Sequence, residues 1–302
     1  MKQSRSVKFP AWLLAMGFAA TASAAIVGTA GDGAARKQPV FFLHTGEKLT
    51  LACVKDGRTE PVSWFHIEPE LRACDNRPGR NAPLAKIQYR RSAATAKTGA
   101  RLELRFTSPG TRYYCAGAVV PKFFQSAEPI HRQYAGRIVQ VVVRAGNGYR
   151  DFLGELLGTP FVMGPAVTGS GWHQTDQRVG SDCAAFATYG RRRMGRPIPY
   201  TGPVGIVNYL KQLTRESLAP ASDTGIYRDS RGREMIVGTG GIHPGDIVHF
   251  GAQVSVFHAD RGRHGILDAD DLVFQSWRAT PHVASLRGSG FFHLPIRVYR
   301  WR

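Results

Sequence analysis

Between Gln38 and Arg144 the chain breaks into short alternating segments separated by turn residues, and no long helical period interrupts them. "KLTLACV" (48–54) places Leu49, Leu51 and Cys53 on one face of a strand, because successive side chains on a strand point to opposite sides. "VSWFHI" (62–67), "AKIQYRR" (85–91), "RLELRF" (101–106), "TRYYCAGAVV" (111–120) and "RIVQVVVR" (137–144) follow at intervals typical of a two-sheet β fold. Many short strands with polar turns and no helical pattern predict an all-β sandwich over residues 38–145.

Four residues sharpen that prediction. Trp64 lies 11 positions after Cys53, Cys115 lies 62 positions after it, and Tyr113 precedes Cys115 by two. This pattern resembles the immunoglobulin fold. The resemblance implies a Cys53–Cys115 bridge between the sheets, Trp64 packed against it, and Tyr113 as a tyrosine corner. A bridge closing a loop of that length stabilises by roughly 4 kcal/mol on the chain-entropy model. The chain has four cysteines, which allow three pairings, and this one leaves Cys74 and Cys183 over. Cys74 sits in the polar segment "LRACDNRPGR", where it is either free or bridged elsewhere.

Residues 1–24 read as an export signal. Lys2, Arg5 and Lys8 precede the apolar "AWLLAMGFAA" (11–20), and "ASA" (22–24) supplies small residues for cleavage. The apolar run is short for a membrane span of about 20 residues, and no later stretch resembles one, so no stable membrane span is expected. A periplasmic or secreted protein follows from this reading. Of its 302 residues 40 are Lys or Arg against 22 Asp or Glu, a formal net charge of +18. Such a field favours anionic partners. No zinc-finger spacing, RNA-recognition signature or P-loop accompanies it, and export argues against nucleic acid. The expected partner is peptidoglycan or another anionic envelope polymer.

After a linker at "AGNGY" (145–149), the second half, 150–302, carries the chemistry. In "GSDCAAFATYGRRRMG" (180–195), Asp182 is a good N-cap, Cys183 opens a helix, and Gly195 then Pro197 stop it. A thiol at a helix N-terminus feels the positive end of the dipole, which favours the reactive thiolate. The bland alternative is a buried structural cysteine. Around this helix "LGTPFVMG", "DCAAF", "GRPIP" and "PGDIVHF" occur in order. That order resembles the NlpC family of papain-like cell-wall cysteine peptidases over roughly 150–280, and it implies an α+β papain-like domain with Cys183 as nucleophile. Phe161 stands where the family usually has tyrosine, and Ala184 replaces a serine.

The resemblance also implies a histidine opening the strand after "PGDIVHF". The strand "QVSVF" (253–257) begins instead with Gln253. His264, in "RHGIL", and His258, at the far end of "QVSVF", are the candidate bases, with Gln275 as the residue that orients the imidazole. Gln177, six residues before the nucleophile, is a candidate oxyanion donor, and His173 an alternative base. His and Cys spacing shows no zinc pattern, so neither metal nor other cofactor is expected.

The expectation is therefore an exported peptidase that hydrolyses amide bonds in peptidoglycan stem peptides through a Cys183 thioester. Two alternatives stay open. One is a non-catalytic envelope-binding protein that keeps the papain-like fold; the other is a Cys–His acyl hydrolase or transferase acting on another substrate. An imidazole beside the Cys183 sulfur distinguishes the enzymes from the binding protein.

Overall fold

A computed structural model describes residues 24–76, 83–94, 98–118 and 120–302. The expected export signal, apart from Ala24, lies outside the described residues. The chain is predominantly β, in several sheets.

The first half contains β1 (Ala25–Ala30), β2 (Val40–His44), β3 (Lys48–Lys55), β4 (Arg58–Thr59), β5 (Trp64–Pro69) and β6 (Cys74–Asp75). It continues with β7 (Ile87–Ala93), β8 (Arg101–Arg105), β9 (Gly110–Ala116), β10 (Phe123–Ser126), the short helix α1 (Ile130–Gln133) and β11 (Ile138–Arg144). In one sheet β3 pairs antiparallel with β1, β8 and β4; the other runs in the order β10-β7-β5-β9-β11-β2. Its last pair, β11 with β2, is parallel. The inner faces share one core, in which Leu49, Leu51 and Cys53 meet Trp64, Val139, Val141 and Val143. The expected alternation is thus realised, although the sheet begins earlier than residue 38. β1 lies on β3, and Gly28 is needed there because a Cβ would fall 2.3 Å from the Phe41 ring.

The expected Cys53–Cys115 bridge does not form: all four cysteines are free thiols. Strand parity is the reason. On β9, Tyr114 and Ala116 enter the inter-sheet core with Trp64, so Tyr113 and Cys115 point to the opposite face, beside Ile67, Ile87 and Val179. Cys53 lies on the inner side and Cys115 on the outer, with a sheet between them. Trp64 does occupy the inter-sheet core. Tyr113 does not reach back to nearby backbone; its hydroxyl donates to the Arg178 carbonyl at 3.2 Å and accepts from Gln140 Nε2 at 3.0 Å.

The second half comprises α2 (Tyr149–Gly154), β12 (Val162–Met163), α3 (Cys183–Arg193), α4 (Pro203–Ile206), β13 (Leu210–Gln212) and the small pair β14 (Ala219–Pro220) and β15 (Tyr227–Arg228). Then come β16 (Ile247–His249), β17 (Val254–Ala259), β18 (Leu272–Gln275), β19 (His282–Ser285) and β20 (Arg297–Trp301). An antiparallel sheet runs β13-β20-β16-β17-β18-β19. One face, with Ile247, Val254, Val256 and Phe274, is covered by Leu153 and Leu156 and by Phe186 and Tyr189 of α3. Phe257, Val248, Val273 and Val298 fill the other face together with Leu218, Tyr227 and Ile242.

The segment 145–149 connects two halves that share buried structure. The outer face of the six-stranded sheet, with Ile67, Tyr113, Cys115 and Ile138, packs on Val162 and Val179, and β12 pairs with β6. Beside this contact, Glu155 is completely buried and pairs with Arg144 of β11 at 3.4 Å and Arg193 of α3 at 2.9 Å. Tyr189 also donates its hydroxyl to Glu155. Arg178 spans from the Gln140 side-chain oxygen to the Tyr189 hydroxyl, each at 3.1 Å.

Candidate functional site

The start of α3 is built as its sequence requires. Asp182 has extended backbone and its side chain accepts the Ala185 N–H at 2.8 Å, an N-cap worth about 1 kcal/mol. Its other oxygen accepts the Gly164 N–H at 3.1 Å, which fastens the "GTPFVMG" segment to the helix. Phe161 bridges to Ser181, and a Cβ on Gly180 would lie 2.3 Å from Val162. Ser276, just after β18, donates its hydroxyl to the Ser181 carbonyl at 3.0 Å. Of the motifs singled out in the sequence, the "GTPFVMG" segment and "DCAAF" therefore meet at the N-terminus of α3, whereas "GRPIP" follows the opposite end of the helix.

The thiol at that place is not a thiolate. Cys183 is 5% exposed, enclosed with Val254, Val256 and Phe274. Burial, reinforced by the neighbouring Asp182 carboxylate, pushes its pKa up to about 12; N–H groups of Val254 and Ala184 pull the other way and lose. The positive helix end contributes at most about 2 kcal/mol, equivalent to a drop of roughly 1.5 in pKa. The thiol therefore stays protonated at neutral pH. Burial under the β-strand laid over the helix start thus works against the activation expected from the helix dipole.

Neither expected base joins it. His264 does not open a strand; it sits in the loop between β17 and β18 with its side chain 84% exposed, its Nδ1 3.5 Å from the Asp260 carboxylate. His258 lies on β17, on the face of Val254 and Val256, its ring against Phe274 with centroids 6.0 Å apart. The Val254 N–H meets Cys183, and four residues further along a strand is roughly 13 Å. Burial, helped by Arg150, lowers the pKa of His258. No imidazole is among the groups that act on the Cys183 thiol.

Gln275 is buried on the other face of the sheet. It accepts from the Ser255 hydroxyl at 3.3 Å and donates to the Ser289 carbonyl at 3.4 Å. Its side chain does adjoin an imidazole, that of His282 at 3.4 Å, a residue whose turn-like context next to Pro281 hid it in the sequence. His282 in turn holds the Thr280 carbonyl through Nδ1 at 2.9 Å. Gln177 is committed elsewhere: its side chain accepts from Arg132 at 3.3 Å and its carbonyl from Gln140 at 3.1 Å. His173 stacks on Tyr200 at 3.8 Å and accepts the Thr175 N–H at 3.2 Å. Burial lowers its pKa to about 4, so it is neutral at pH 7.

Gln253 is the residue next to Val254 and is 1% exposed, and neither atom of its amide has a hydrogen-bond partner among the described residues. The Ser181 hydroxyl, two residues before Cys183, is likewise buried and unpartnered. Both are buried polar side chains with unused hydrogen-bonding capacity, close to Cys183 in sequence or next to the strand that packs against it.

Comparison of the chain with protein-family models, with curated proteins and with solved structures finds no match.

Proposed function

We propose that the chain is a non-catalytic binding protein of the cell envelope, an immunoglobulin-type sandwich followed by an NlpC-type half that keeps the peptidase frame without its chemistry. The observation that carries this reading is the environment of Cys183: a buried thiol with a pKa of about 12 and no imidazole acting on it. A thiol attacks as the thiolate, and a base must take its proton. The side chains that stand where the resemblance implies base and orienter, Gln253 and Gln275, are amides, which neither gain nor lose a proton at neutral pH. The net charge of +18 supports an anionic envelope polymer, peptidoglycan first among them, as the partner.

The test uses the protein without residues 1–24 and its Cys183→Ala variant, each incubated with purified peptidoglycan and its muropeptide fragments. Products are followed by mass spectrometry and retention by co-sedimentation. Both forms are expected to co-sediment equally and to release no new fragment. Cleavage by the parent protein that is lost in Cys183→Ala would overturn the reading and establish the peptidase.

A further inference from the structure

The three consecutive arginines that end α3 have different fates. Arg192 pairs with Asp176 at 2.9 Å and Arg193 with buried Glu155 at 2.9 Å. Arg191 pairs with no Asp or Glu side chain among the described residues. One of its terminal nitrogens donates to the Arg302 backbone oxygen at 3.0 Å, its guanidinium lies 5.7 Å from the Trp301 ring, and its buried Nε has no partner among the described residues.

The end of the helix then adds a second charge of the same sign. Gly195 adopts a left-handed backbone (φ +80°), and the Arg196 N–H returns to the Arg191 carbonyl at 3.1 Å, closing a Schellman turn. That turn brings Arg196 close enough to Arg191 for their charges to repel. Arg302 arrives from beyond β20, its N–H on the Tyr209 carbonyl at 3.3 Å. Together Arg191, Arg196 and Arg302 line a cleft of about 320 Å³, with Asn208, Tyr209 and Ile198 on its walls and no acidic side chain among them.

We infer that this cleft is a binding site for a phosphate group. Guanidinium forks match phosphate oxygens two at a time, and the repulsion between Arg191 and Arg196 on one cleft wall is relieved by an incoming dianion. Tyr209 and Ile198 offer apolar contact for whatever the phosphate is attached to. The cleft lies eight residues along α3 from Cys183, roughly 12 Å, and does not depend on whether Cys183 acts as a nucleophile.

The site is tested by isothermal titration of the full chain with inorganic pyrophosphate at low ionic strength. The double variant Arg191→Gln/Arg196→Gln is compared with Arg261→Gln/Arg263→Gln, which removes the same charge from exposed positions in the loop between β17 and β18, outside the cleft lining. The first pair is expected to weaken binding tenfold or more and the second less than twofold. Equal losses in both, or no saturable binding by the parent, would overturn the inference by reducing it to the overall field of the molecule. Arg196→Gln alone, a change at an exposed side chain, is expected to cost at least threefold and guards against misfolding of the double variant. Co-sedimentation with phosphatidylglycerol vesicles, against phosphatidylcholine vesicles, then separates the sources. Retention lost in the double variant assigns the phosphate to a lipid headgroup, and retention unchanged assigns it to a soluble phosphate ligand.

Discussion

An imidazole beside a cysteine lowers the thiol pKa, and the residue that precedes the strand packed on Cys183 is an amide, Gln253. With a pKa of about 12, Cys183 is expected to react with iodoacetamide at pH 7 at least about a hundredfold more slowly than an unperturbed thiol of pKa ~8.5. Gln253→His is expected to raise that rate tenfold or more, measured by mass spectrometry of the alkylated peptide; an unchanged rate would show that position 253 does not govern the thiol. The helix start at Asp182–Cys183 was legible in the sequence because capping is local, decided within four residues. The protonation state of the thiol was not, because it depends on β17, some seventy residues later in the chain.

His131 offers a second prediction at this scale. It is buried in α1, neither ring nitrogen has a hydrogen-bond partner among the described residues, and burial next to Arg178 and Arg132 lowers its pKa to about 3 from an ordinary value of 6.5. The unfolded chain therefore binds a proton that the folded chain refuses. Stability is intact above pH 6.5 and falls as the pH drops from there toward 3, by up to about 1.4 kcal/mol per pH unit from this group. Chemical denaturation across that range is expected to show a shallower fall for His131→Leu than for the parent.

At the scale of elements, period-two alternation carried most of the information. β8 and β11 fall within the segments expected from it, β3, β5, β7 and β9 overlap theirs and run one or two residues beyond an end, and Leu49, Leu51 and Cys53 share one face as expected. What alternation within one segment cannot say is which side of β9 faces inward. "TRYYCAG" presents large apolar or aromatic groups on both sides, and both sides are in fact buried, one by the partner sheet and the other by the second half. The Cys–Trp–Cys spacing was therefore met while its geometry was not. With Cys53 and Cys115 on opposite faces, a reducing agent is expected to leave the melting temperature unchanged, whereas loss of a bridge of that span costs roughly 4 kcal/mol. A drop on reduction, or a mass two units below that of the tetrathiol, would refute the assignment of faces.

At the scale of the whole molecule, Glu155 is the fulcrum between the halves. Removing one member of a buried charge cluster typically costs about 3–5 kcal/mol because the remaining charges are left uncompensated. Glu155→Gln is expected to destabilise by an amount of that order and to do so in a single transition seen alike by probes in both halves. Two separate transitions would mean that the halves fold independently. No linker composition reveals this coupling: the segment "AGNGY" reads as a hinge, while the side chains that abolish the hinge, Arg144, Glu155, Arg178 and Gln140, are scattered and polar and look like ordinary surface. The arginine cleft was half legible for the same reason. The run "RRR" announced charge, and only the placement of Asp176 and Glu155 shows which arginine is left without an acidic side chain among the described residues.

The doubly buried face of β9 also bears on how the molecule is made. A chain synthesised from its N-terminus completes the first half while residues 162–179 are still to come, so Ile67, Ile87, Tyr113, Cys115 and Ile138 wait uncovered. During that interval a sheet meant for an internal contact is a sticky exterior, and neighbouring nascent chains present the same surface. Release of the first half alone, by premature termination or by a proteolytic nick near residue 146, should yield clumps where the intact product stays dispersed. The later half thus does for the earlier one what a holding chaperone does in trans, but built into the same polypeptide.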